Sequence, residues 1–323
     1  MLRFLIGRIG QSLVVLFVMS LLVFVGVYAV GNPVDIFISP ETTQAERAAA
    51  IAALGLDQPL WTQYVRFVSQ ALSGDLGRSF AYATPAVTLI LERLPATLEL
   101  AVSALVLSVT LGVPLGVWAA LHADRWIGKT IMGLSILGFS LPTFWVGLML
   151  IMLFSVGLGW LPSSGRGATE LVFGVPLSIV TLDGLRHLLL PACNLALFNT
   201  ALVIRLTRSG AQEALLQDYV KFARAKGLSP FRVTFVHVFK NILIPVVTVT
   251  GLEFGSTIAF SVVTESIFAW PGMGKLIIDS INVLDRPVIV AYLMIIVLMF
   301  ITINLIVDLT YSLLDPRVRL EGK

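Results

Sequence analysis

Four acidic residues stand where the chain is otherwise apolar: Glu99, Glu253, Glu265 and Asp308. A charge at the centre of a membrane-crossing helix costs about 2.5–3.5 kcal/mol on insertion scales, so such groups turn toward a bundle interior, a partner or a wet cavity. Glu253 is the deepest, within a turn of Gly251 and Gly255. It reads either as a cavity-lining carboxylate that meets a substrate amine, or as a structural group in an interhelical hydrogen bond or a pair to a neighbouring subunit. Glu265, close to one end of its apolar run, stands where it could gate an exit. Asp308 is expected to pair with a basic residue such as Arg205 or Arg317.

Other chemistry is poorly supplied. His122, His187 and His237 fall at three different span ends without ligand spacing, and Cys193 alone forms neither an internal disulfide nor a CxxC pair. Gly128-Lys129-Thr130 has the tail of a P-loop, but Ala123 stands where the first glycine is required and no strand precedes it. Gly274-Lys275 is followed by Leu276 and fails likewise. Neither H-E-x-x-H nor Gly-x-Gly-Asp occurs. An ATP-driven process would draw its energy from another chain.

The elements that must position these residues follow from composition. Of 323 residues, 57% are hydrophobic and 13% charged, with a mean hydropathy of +0.93. A soluble chain carries about 25% charged residues, so the bilayer is this chain's solvent. Net charge is only +3, which suggests no nucleic-acid partner. About 20 apolar residues cross the hydrocarbon core, and runs of that length predict six helices near 9–30, 97–121, 131–158, 187–206, 242–268 and 288–314. The first exceeds the roughly 7–15 apolar residues of a signal peptide and lacks a clear A-x-A site, so it reads as an uncleaved helix. Pro114, Pro142, Pro191 and Pro245 interrupt the runs, as neighbouring membrane helices permit. Gly112-x-x-x-Gly116 and Gly251-x-x-x-Gly255 have the spacing for close helix approach.

Lysine and arginine concentrate at the N-terminus, 122–130, 205–240 and the C-terminus, which puts those segments and both termini in the cytoplasm. Segments 31–94, 159–186 and 269–286 then lie outside. Within the first, 41–56 suggests a short helix, and 60–72 places Leu60, Tyr64, Phe67, Val68 and Leu72 near helical spacing.

The most patterned cytoplasmic stretch is 209–245. It is too polar to span. Residues 211–226 read as one or two short helices ended by Gly227, with Ser229-Pro230 blocking continuation. Such a helix can lie parallel to the membrane and face a cytoplasmic partner, or rest its basic face on anionic membrane lipid.

Residues 218–245, DYVKFARAKGLSPFRVTFVHVFKNILIP, resemble the cytoplasmic signature loop of ABC-importer permeases. Within them they are similar to the dipeptide/oligopeptide/nickel family, whose pattern D-Y-x-x-x-A-R-A-K-G-L is met by Asp218, Tyr219, Ala223, Arg224, Ala225, Lys226, Gly227 and Leu228. The general importer form begins EAA; Lys221 and Phe222 depart from it, and only Ala223 and Gly227 agree. The likeness extends along the chain through LGLDQPLWTQYVRFVSQALSGDLGRSF (54–80), LPATLEL (94–100), FSLPTFWVGLML (139–150), LPSSGR (161–166), RLTRS (205–209), TESIFAWPGMGKL (264–276) and VDLTYSLLDPRVR (307–319).

The resemblance implies an all-α, polytopic chain with the type I ABC-importer permease fold, placed in the bacterial inner membrane. It implies that 218–228 form the coupling helix to a separate ATPase. The expected partners are a second homologous permease subunit, two ABC ATPases and a periplasmic or lipid-anchored substrate-binding protein. ATP and magnesium would be used by the ATPases, with no cofactor on this chain. The cargo would be dipeptides, longer peptides or related solutes such as chelated nickel. The expected organisation is a first helix in 1–30, an outer helical segment in 31–94, a five-helix core in 95–314 carrying the coupling loop at 209–240, and a cytoplasmic tail in 315–323. Glu253, Gly251, Gly255 and Glu265 are the candidate pathway residues. An ATP-independent carrier or channel is the competing reading, with Glu253 its sole midplane charge.

Overall fold

The computed structural model describes residues 2–29, 43–45, 51–52 and 57–314. The helix expected over 41–56 falls mostly outside these residues, and the tail 315–323 wholly so. Among the described residues, five helices are long and apolar enough to cross a membrane, or six if one sharply bent pair counts as a span. The chain divides into two compact units, one of residues 1–92 and 277–301, the other of 93–276 and 302–323.

In the first unit, α1 (Leu2–Ala29) packs on the amphipathic α2 (Leu60–Leu72). Tyr64 is the buried residue of α2; its hydroxyl shares a 2.8 Å hydrogen bond with Ser20 while the Phe24 ring meets it edge-on at 5.3 Å. A polar hydroxyl pair inside an apolar contact is satisfied on both sides, which fixes the register of α2 on α1. The ends of the predicted stripe, Leu60 and Leu72, stay exposed.

The second unit is built around α6 (Leu182–Leu216). The helix α3 (Ala86–Leu121) contributes its greater part here, from Arg93 on, and passes through Pro95 and Pro114 without ending. Gly112 and Gly116 of α3 face Val203 and Thr207 of α6. A Cβ on Gly112 would fall 2.7 Å from Val203 Cγ1, and one on Gly116 would fall 2.6 Å from Thr207 Cβ. The small-residue spacing therefore brings two backbones together, the use such motifs have where lipid offers no hydrophobic drive.

The predicted span 131–158 departs from a straight helix. It is two helices, α4 (Trp126–Ser140) and α5 (Thr143–Leu150), the latter continuing as a π-helical stretch Ile151–Gly157. They meet at 106°. The cause is local: a proline disfavours the helical region for the residue before it, and Leu141 before Pro142 is extended at φ −78°, ψ 134°. A short antiparallel hairpin, β1 (Glu170–Val172) with β2 (Val175–Leu177), leads into α6.

After α6 come α7 (Asp218–Ala225), a single turn at Pro230–Arg232 and a π-helical stretch Val233–Val238 that runs into α8 (Phe239–Ile267). Hydrogen bonds Asn194 Nδ2 to Thr264 Oγ1 at 2.9 Å and Asn199 Nδ2 to Thr257 Oγ1 at 2.8 Å lock α6 and α8 in antiparallel register. Two further helices, α9 (Met273–Asn282) and α10 (Arg286–Leu314), complete the described chain.

A Gly116→Leu change should cost about 1–3 kcal/mol through overpacking, read as a lower unfolding temperature in detergent. Gly133→Leu, at a glycine with open space around its Cβ position, should leave that temperature nearly unchanged.

Candidate functional site

The local chemistry of α7 explains its signature. Val220 and Ala223 are buried in a cluster with Ala211, Ala214, Val233, Val238 and Ile242, so one side of the helix is sewn to the ends of α6 and α8. Ala223 is the third residue from the C-cap, and the helix closes as a Schellman motif. The amide of Leu228 donates to the Ala223 carbonyl at 3.2 Å and the amide of Gly227 to the Arg224 carbonyl at 2.9 Å. Gly227 has φ +77°, where a side chain is strained. Leu228 packs back on the cluster that holds Ala223, the apolar contact that accompanies this closure. Ser229 Oγ then accepts from the Arg232 amide at 3.3 Å, capping the next turn with Pro230 in its first position.

The opposite side of α7 is exposed among the described residues. Phe222 is 69% exposed, and Leu216, Tyr219 and Phe231 are exposed beside it. Lys221, Arg224, Ala225 and Lys226 are exposed too. Asp218 accepts from Lys221 Nζ at 2.8 Å, and this ammonium holds the Asp218 carboxyl below its usual range. Tyr219 Oη accepts from Asn241 Nδ2. The result is a rigid, basic ledge with an aromatic centre: residue types suited to a groove on a protein partner.

At the other end of α8, Glu265 is fully buried. Its carboxylate accepts from Thr97 Oγ1 at 2.7 Å, Ser261 Oγ at 2.9 Å and the Lys275 amide at 3.0 Å, with the Gly274 amide also bonded. Thr97 Oγ1 in turn accepts from the Met273 amide at 2.8 Å. The first amides of α9 are thus capped by side chains from α3 and α8. Gly272 is required there, because a Cβ would enter the Glu265 carboxylate. Trp270 is fully buried and donates from Nε1 to the Ala96 carbonyl at 2.9 Å.

Glu99 has a parallel task. Arg166 donates to its Oε2 from Nη2 at 2.6 Å and Nε at 3.0 Å, and the amides of Ser178 and Ile179 donate to Oε1 at 2.7 and 2.8 Å. In the first unit Asp285 accepts from Ser79 Oγ and the amides of Phe80 and Ala81. Arg166 and Asp285 carry no role in the sequence reading. Asp285 stands directly before a span, and its partners lie about 205 residues away in sequence, so nothing local marked it.

Among the pathway residues, Glu253 is half-buried; its carbonyl accepts from Thr257 Oγ1 at 2.7 Å, and its carboxylate has no partner among the described residues. Gly251 packs on α10, where a Cβ would lie 2.7 Å from Val307 Cγ2, and Gly255 is buried. Glu265 is not near these residues along α8 and is spent on backbone capping. Arg205 lies over the Phe139 ring at 4.4 Å, and that ring stacks on Phe198 at 4.5 Å; Arg317 lies outside the described residues.

Comparison with known proteins gives a consistent answer. The family described as "Binding-protein-dependent transport system inner membrane component" matches residues 112–320, and the N-terminal family of the same membrane components matches 1–101. A di/tripeptide transport system permease protein, DppB, of Pseudomonas aeruginosa is 41% identical over 99% of both chains. The dipeptide transport system permease DppB of Escherichia coli K12 is 38% identical over 99% of both. Among solved structures, a chain of the MetNI methionine ABC transporter in an inward-facing conformation has a TM-score of 0.57 at 15% identity, covering 70% of this chain and 96% of that one; this likeness shows the fold.

Glu265→Gln keeps the volume but replaces an acceptor oxygen with a donor nitrogen, leaving buried amides unpaired. It should destabilise by about 1–3 kcal/mol, seen as a lower unfolding temperature and faster proteolysis at 268–275.

Proposed function

This chain belongs to the family of binding-protein-dependent transport system inner membrane components, and from that premise we propose that it is a membrane-spanning subunit of an ATP-driven importer of dipeptides and other short peptides. The observation that carries the reading is the ledge of α7: one face locked into the bundle, the other an exposed aromatic and basic surface centred on Phe222.

In this reading the chain itself catalyses nothing. The ledge (Asp218, Tyr219, Ala223, Arg224, Ala225, Lys226, Gly227 and Leu228) seats in a groove of one of two ABC ATPases, which use ATP and magnesium. A second homologous permease completes the pathway, and a substrate-binding protein delivers peptide from outside. Closure of the ATPases pushes the ledge and rocks the membrane helices between two states, opening a cavity to each side in turn. Glu253 is the pathway carboxylate, available to a peptide amine; its unpartnered, half-buried state supports that assignment. The 205–240 segment and both termini face the cytoplasm, as the lysine and arginine bias supports.

In membranes carrying the whole system, Phe222→Asp and Gly227→Val should each lower dipeptide uptake at least roughly tenfold, the equivalent of about 1.4 kcal/mol of lost docking. Both should still insert, and co-purification of the ATPase in mild detergent should be lost. Undiminished uptake in a strain lacking the ATPases would establish a carrier instead. For orientation, cysteines at Leu171 and Phe222 in a Cys193→Ser background distinguish the sides. An impermeant thiol reagent should label the first in intact spheroplasts and the second only after lysis.

A further inference from the structure

In the unit of residues 1–92 and 277–301, α1 and the start of α10 enclose a groove of about 270 Å³. Its walls are apolar, with Met19 and Val23 on one side and Ile289 and Leu293 on the other, and Arg286 stands among them. Arg286 is 7% exposed, and its Nε and Nη1 have no hydrogen-bond partner among the described residues. The neighbouring Asp285 carboxylate accepts from Ser79, Phe80 and Ala81 and makes no bond to it. A guanidinium does not shed its proton, and a buried unpaired charge is strongly unfavourable. An anionic partner from beyond the described residues would satisfy it.

Position selects which anion. The membrane span of α10 opens at Arg286 and that of α1 closes at Gly26, and both residues line the groove. The guanidinium therefore stands at the edge of the hydrocarbon layer, where headgroup phosphates lie, above two helical turns of apolar wall. A free anion would satisfy the charge and leave the wall empty; an acidic peptide would put polar backbone against it. We propose that this groove binds one membrane phospholipid, its phosphodiester on Arg286 and an acyl chain between Met19, Val23, Ile289 and Leu293. The proposal does not depend on which solute the chain transports.

The test uses the full chain. Native mass spectrometry after gentle detergent extraction should find one phospholipid retained per wild-type chain. After delipidation, phosphatidylglycerol in mixed micelles should raise the unfolding temperature saturably, and inorganic phosphate should not. Arg286→Gln should weaken that lipid response at least tenfold. Gly26→Phe fills the groove from a position whose Cβ has open space. It should abolish lipid retention with Arg286 intact, and so serves if the arginine variant folds poorly. Equal lipid retention by wild type and both variants overturns the proposal. So does an equal response to inorganic phosphate, which would mark a plain anion site. A photoreactive residue at Leu293 that captures a protein in place of lipid overturns it too, by giving the groove to a neighbouring subunit.

Discussion

The Glu265 carboxylate is the interaction on which most of the second unit's geometry depends. It collects a threonine from α3, a serine one turn back on α8 and the opening amides of α9. A helix N-terminus leaves several amides without intrahelical partners, and the residue before α9 is a glycine with no side chain to cap it. The charge that would be costly alone in an apolar layer becomes the cap. Removing the donors would strand the carboxylate, and removing the carboxylate would strand the donors. Glu99 repeats the device with Arg166 and the two amides that follow the hairpin.

Two Schellman closures then define where chain segments leave the bundle. At the end of α7 the left-handed position is Gly227; at the end of α8 it is Ala269, at φ +45°. There the Trp270 amide donates to the Glu265 carbonyl at 2.8 Å. A non-glycine residue in this region costs about 1–2 kcal/mol, and the fully buried Trp270 side chain, hydrogen-bonded to Ala96, offsets it. Glu265 thus fixes this corner twice, through its side chain and its backbone.

Much of this was legible in the sequence, and what escaped did so for physical reasons. Apolar runs announced the long helices because the bilayer demands them. Gly227 and Ser229-Pro230 announced a helix end, because the position after the helix requires a left-handed backbone. The bend at Pro142 was legible only as an interruption: 131–158 is apolar on both sides of it, so composition carried no trace of a 106° turn. Glu265 stood out as a charge in an apolar run, but its acceptor role depends on Thr97, 168 residues away. No periodicity encodes such a pair. Asp285 and Arg166 were hidden for the same reason, since charged residues at span ends ordinarily face water.

The fixed geometry of α8 joins these features into one mechanical body. At about 1.5 Å per residue, its 29 residues reach from the cluster holding Val220 and Ala223 to the Glu265 cap. The side-chain bonds from Asn194 to Thr264 and from Asn199 to Thr257 tie it to α6 along the way. Sliding either helix alone would break both bonds and expose polar groups in an apolar surrounding, where unpaired groups are expensive. A displacement entering at the exposed face of α7 meets the ends of both helices in the same buried cluster. It is therefore cheaper to tilt α6 and α8 together than to shear them. The turn at 268–275, fastened to α8 through Glu265 and to α3 through Thr97 and Ala96, must follow that tilt. In this way a push on Phe222 and its neighbours would be carried toward the far end of the same helices.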